Sequence, residues 1–110
     1  MLIQSIHYTF GTADGDRAAA LLVELQDLSR REHGVLAFEV ARGSDRPNIF
    51  ALWEVYRDQA ALESHVASEH FTRLVVGGLR KLAIEREGWL GSPLAPAAGL
   101  ATHSDVEDRA

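Results

Sequence analysis

Residues 35–58 read VLAFEVARGSDRPNIFALWEVYRD, two strand-like runs on either side of a Gly43-Ser44-Asp45-Arg46-Pro47 turn. Val35 to Arg42 and Asn48 to Tyr56 carry branched and aromatic residues, and the Gly and Pro between them punctuate the chain, so the stretch predicts a β-hairpin. Alternation splits the second strand into two faces, Phe50, Leu52, Glu54 and Tyr56 on one and Ile49, Ala51, Trp53 and Val55 on the other. With Val35, Ala37 and Ala41 of the first strand, the second set forms an apolar surface opposite the one that carries Glu54.

On the N-terminal side, Leu2 to Phe10 alternates as a strand, with Ile6, Tyr8 and Phe10 on one face. Asp14 or Asp16 is placed to cap a helix reaching about Arg31, whose Ala18, Leu21, Leu22, Leu25 and Leu28 make one apolar stripe; Gly34 closes it. On the C-terminal side, Asp58 stands at an N-cap position before a helix with Ala61, Leu62 and Val66 inward and an end near Ser68. From about Glu69 a further helix presents Phe71, Leu74, Val75, Gly78, Leu79 and Leu82, weakened locally by Gly77-Gly78. A last strand spans Ile84 to Leu90, and residues 91–110 read as a Pro- and Ala-rich acidic tail following a domain of residues 1–90.

Strand, helix, strand, strand, broken helix, strand is the split βαβ order of a ferredoxin-like α+β domain with an antiparallel sheet. Helices cover one sheet face. The other stays apolar, and pairing it with a second copy predicts a homodimer, a dimeric α/β barrel.

Composition narrows the partners. The 110 residues are 46% hydrophobic and 25% charged, as in a single globular domain. A net charge of -5 without a basic patch argues against nucleic acid, and the absence of cysteine excludes disulfides and thiolate chemistry. The first ten residues lack a basic leader and a long apolar run, so neither a membrane partner nor export is expected, and a cytoplasmic protein is. No GxGxxG loop appears, and no nicotinamide or flavin cofactor is expected.

Phe50-Ala-Leu-Trp-Glu54-Val-Tyr56-Arg-Asp58, Ala61-Leu62-Glu63-Ser64-His65 and Ser68-Glu69-His70-Phe71 together resemble the antibiotic biosynthesis monooxygenase family of dimeric α+β barrels. Arg31-Glu32-His33-Gly34-Val35-Leu36, Phe38-Glu39-Val40 and Asp45-Arg46-Pro47 extend the likeness to roughly Leu2 to Trp89. The resemblance implies a cleft between sheet and helices for a small-molecule substrate, and no cofactor. Departures narrow the branch. The Asn-Trp pair of polyketide-tailoring members is replaced by Leu52 and Tyr56, and the axial His of haem degraders by Val75. Glu54-x-Tyr56 and the two histidines look most like the quinol-monooxygenase-like and autoinducer-processing branches.

Candidate catalytic residues are His65, Glu54 and Tyr56. A carboxylate between Leu52 and Tyr56 is expected to have a raised pKa unless it pairs with an Arg or a His. Tyr56 is suited to orient a substrate hydroxyl, or to sit as a boundary aromatic. His65 borders its helix stripe and can accept a phenolic proton, or bridge the helix break with His70. Five-residue spacing sets His65 and His70 about 140° apart on a continuous helix, a poor chelating geometry, so no metal is expected. Phe50, Leu52, His70, Phe71 and Arg42 are candidate substrate-binding residues; His7 faces either cleft or barrel, and Trp53 is assigned to dimer packing. The expected activity is a cofactor-independent oxygenase of quinols or related hydroxylated aromatics. Two alternatives are an isomerase of a small ketone, anchored by Arg42 or Arg57 if phosphorylated, and a non-catalytic binding protein with Glu54, His65 and His70 fully paired.

Overall fold

The period-two pattern of the first ten residues is realised as β1, Leu2–Phe10, which buries Ile6, Tyr8 and Phe10 and exposes His7. The computed structural model of the chain describes residues 1–95. After β1 come α1 (Gly15–Arg30), β2 (Val35–Arg42), β3 (Ile49–Tyr56), α2 (Gln59–Val66), a π-helix (Phe71–Leu79), α3 (Arg80–Leu82) and β4 (Ala83–Gly91). The expected tail lies, from residue 96 onward, outside the described residues. No described helix is long and apolar enough to cross a membrane.

The four strands form one antiparallel sheet in the order β2-β3-β1-β4, the ferredoxin-like α+β arrangement. Directly paired residues share a sheet face, so the registers define rows. One row runs Phe38, Glu54, Gln4, Leu90; the next but one runs Arg42, Phe50, Tyr8, Arg86. Both rows face the helices, where Ile6, Tyr8, Phe10, Phe38, Phe50 and Leu52 meet Ala18, Leu22 and Leu25 of α1 and Leu74, Val75 and Leu79 of the π-helix.

Several local expectations are corrected. Val35 pairs with Tyr56 and Ala37 with Val55, a bulge that turns Val35 to the covered face, where it joins the core. In α2 Ala61 and Leu62 are buried as expected, but the third inward residue is His65, while Val66 is about half exposed. Asp58 does cap α2, its carboxylate accepting the Ala61 N–H at 2.9 Å; Asp14 at the α1 N-cap makes no such bond. The segment after Glu69 winds as a π-helix rather than with three-to-four spacing. Gly78 lies where this helix presses on α1: a Cβ there would sit 3.1 Å from Leu21 Cδ1.

Candidate active site

Ser68 makes the turn that assembles the site. Its N–H and hydroxyl donate to the His65 carbonyl at 3.1 and 2.6 Å, and its oxygen accepts the Phe71 N–H at 3.2 Å, joining the end of α2 to the start of the π-helix. The helix axis is therefore broken between His65 and His70, and the two rings converge to 6.0 Å between centroids. They meet on Glu32, in the turn after α1: one oxygen, Oε2, contacts His65 Nδ1 at 2.7 Å and His70 Nε2 at 2.8 Å. Glu32 is the residue that sequence reasoning missed, although it stands in the stretch that carries the family likeness. Only the broken helix and the α1–β2 turn bring it near two histidines more than thirty positions away.

These three side chains are also the group of described residues able to share a metal ion, their donor atoms lying within 4.8 Å of one another. The expectation that the two histidines diverge is thus corrected, since it assumed a continuous helix. As the contacts stand, hydrogen bonding satisfies the carboxylate oxygen. A carboxylate can only accept, so His65 Nδ1 carries a proton and the neutral ring offers a lone pair at Nε2. Burial pushes the His65 pKa down, partly offset by Glu32, which favours that neutral ring. Phe38, Tyr56 and Phe71 surround the imidazole at 5.3–5.6 Å between centroids.

Glu54 stands across the site on β3, 2% exposed. Burial pushes its carboxyl up to about 7, opposed by the hydrogen bond that the Tyr56 hydroxyl donates to Oε1 and by the nearby Arg86 guanidinium. Tyr56 is fully buried, and burial beside the Glu54 carboxylate raises its pKa further above the usual phenol value, so it remains a donor to Glu54. Among the described residues neither His65 Nε2 nor Glu54 Oε2 makes a hydrogen bond. Glu54, His65 and His70 thus each have one partner, Tyr56 for the first and Glu32 for the two histidines.

Both groups line a cavity of about 120 Å³ with Gln4, Tyr8, Leu52, Phe71, Arg80 and Arg86. An apolar cavity of ~150 Å³ takes up benzene, so this space is on the scale of one aromatic ring. Of the sequence-predicted residues, His65, Glu54, Leu52 and Phe71 meet here, with Tyr56 and His70 behind them as partners of Glu54 and Glu32. Phe50 and Arg42 are placed elsewhere. They line a second cavity against α1, where Arg42 stacks on Phe50 at 5.3 Å and pairs with Asp16 at 2.9 Å. The cations lining the first cavity are Arg80 and Arg86, both solvent-exposed, the latter unremarkable in sequence and set beside Tyr8 by the β1–β4 register. His7 is on the opposite sheet face, with Glu87 and Trp89.

The family model for antibiotic biosynthesis monooxygenase matches residues 1–76. Among solved structures, an antibiotic biosynthesis monooxygenase is 28% identical with a TM-score of 0.80, over 86% of this chain and 100% of that one. A candidate antibiotic biosynthesis monooxygenase from Bacteroides thetaiotaomicron is 28% identical with a TM-score of 0.78, over 86% and 90% of the two chains. A Pseudomonas aeruginosa protein is 28% identical with a TM-score of 0.79, over 86% and 94%. Among curated proteins none matches.

Proposed function

Because this chain belongs to the antibiotic biosynthesis monooxygenase family, we propose that it inserts one atom of dioxygen into a quinol or related hydroxylated aromatic, with the substrate as sole reductant. The observation that carries the reading is the Glu32–His65 contact at 2.7 Å, which engages Nδ1 and leaves Nε2 of this cavity-lining imidazole without a hydrogen-bond partner among the described residues. His65 Nε2 takes the phenolic proton. The electron-rich anion reduces dioxygen, and the two combine at a ring carbon as a hydroperoxide. Loss of water then leaves the hydroxyquinone. The quinol gives up four electrons in this sequence, the number dioxygen accepts in becoming one inserted oxygen and one water. Glu54, with a pKa near neutrality, protonates the departing oxygen. Tyr56 and His70 are positioning residues, acting through Glu54 and Glu32.

Oxygen uptake by chelator-treated protein, measured against hydroquinones, naphthols and anthrones, tests this. Uptake above the autoxidation blank that falls ~100-fold or more in a folded His65→Ala variant is the expected result. A panel without uptake, or undiminished uptake in His65→Ala, overturns it.

The same proposal includes a homodimer. Its support is the uncovered sheet face, which carries Ile3, Ile49 and Ala51 beside Trp53 at 49% and Trp89 at 59% exposure. A second copy presenting the same face is the simplest partner of matching chemistry.

A further inference from the structure

Five arginines of the described residues lie within salt-bridge distance of carboxylates: Arg30 with Glu39, Arg31 with Asp27, Arg42 with Asp16, Arg57 with Asp58, and Arg73 with Glu24 and Glu69. Arg17, Arg46, Arg80 and Arg86 make no salt bridge among the described residues. Of these four, Arg80 and Arg86, both solvent-exposed, line the cavity of His65 and Glu54.

Each is also held. Arg80 lies over the Phe71 ring at 5.5 Å from its centroid, a cation–π contact that steadies the head group at the cavity wall. Arg86 folds back over Gly88, where a Cβ would stand only 2.9 Å from its Nη1, and its guanidinium sits beside the Tyr8 hydroxyl. Gly88 is two residues along the same strand face, so the missing side chain makes room for the guanidinium. Glu54, the one carboxyl lining this cavity, is neutral over much of the range below pH 7 and leaves the two cations largely uncompensated.

We infer that this cavity takes an aromatic substrate carrying a carboxylate, a dihydroxybenzoate rather than a plain quinol, with Arg80 and Arg86 holding the carboxylate at the cavity wall. The inference deepens the oxygenase reading and rests on it for the orientation of the ring, with the phenolic hydroxyl toward His65 Nε2. Arginine suits the task because its fork donates two parallel hydrogen bonds to a carboxylate. The same two charges favour the phenolate that His65 generates.

Binding measured without turnover separates the two readings. Titration of the intact protein under anaerobic conditions with 2,5-dihydroxybenzoate and with its methyl ester compares ligands of the same ring and hydroxyls that differ in charge. The acid is expected to bind about tenfold or more tightly, a preference that shrinks with added salt. Arg86→Gln and Arg80→Gln are expected to abolish the preference, read in each variant as the ratio of acid to ester affinity. Gly88→Ala, which keeps both arginines and displaces one, reduces it in the same direction. Equal binding of acid and ester by the unmodified protein, or a preference that survives both arginine substitutions, overturns the inference. Acid preference without oxygen uptake for either ligand upholds the carboxylate subsite and counts against the oxygenase reading instead.

Discussion

Glu54 carries its charge state as a stability statement. Its carboxyl is raised from 4.5 to about 7, so between those values the folded chain binds more protons than the unfolded one. Stability therefore falls as pH rises through that window and levels off above pH 7. Glu54→Gln removes the buried charge and keeps a hydrogen-bond acceptor for Tyr56. Urea unfolding should find the variant more stable than the parent at pH 8 by up to about 3 kcal/mol, with the difference vanishing near pH 4. A gain that does not depend on pH would show that packing, and not charge, distinguishes the two. His65 has the opposite slope: its pKa is lowered from 6.5, so the stability it contributes is complete above that value and is lost as pH falls below it. Glu32→Gln leaves shape intact but removes the charge that orients His65. Its expected signature is a fall in turnover of about tenfold or more with little change in melting temperature. Loss of activity without an intact fold would not speak to orientation, so far-ultraviolet circular dichroism accompanies the assay.

At the scale of elements, the break at Ser68 is what converts two divergent histidines into a pair sharing one carboxylate oxygen. The π-helix then supplies Phe71 and Val75 as cavity wall and Leu74 and Leu79 as core. Segments of this winding are rare and occur often at functional sites. Its seat against α1 depends on Gly78. Gly78→Val forces extra volume against Leu21, and thermal unfolding should show a loss of about 1–3 kcal/mol. An unchanged melting temperature would mean that the two helices separate freely, in conflict with the buried Leu22, Leu25, Leu74 and Leu79 between them.

The molecule as a whole presents two unlike sheet faces. One is covered by helices and encloses the site; the other leaves Trp53 and Trp89 half exposed. If a second copy covers that face, Trp53→Lys places a charge in the interface and shifts the chain toward monomer at micromolar concentration. Light scattering coupled to size-exclusion chromatography reads the mass directly, and a parent protein that elutes as a monomer removes the dimer from the proposal.

Much of this was legible along the chain. Period-two alternation placed Leu52, Glu54 and Tyr56 on the helix-covered face, the apolar stripe placed α1, and Asp58 announced α2, because strand and helix periodicity and capping are local effects of backbone geometry. The same locality made a raised Glu54 pKa foreseeable, since its neighbours on the strand face are Leu52 and Tyr56. Contacts between distant segments were not legible. Glu32 reaches His65 and His70 only across the helix break, Arg86 enters the cavity only through the β1–β4 register, and Arg42 leaves it for Phe50 and Asp16 on the far side of the core. Val35 changed faces because a bulge, invisible in the alternation, inserted one residue. Periodicity thus settled which face each residue shares with its sequence neighbours, while closure of the sheet and packing of the helices decided which charged groups from separate segments share one cavity. That second choice belongs to tertiary structure because the pairing of charges is a property of distance and burial, and sequence separation measures neither.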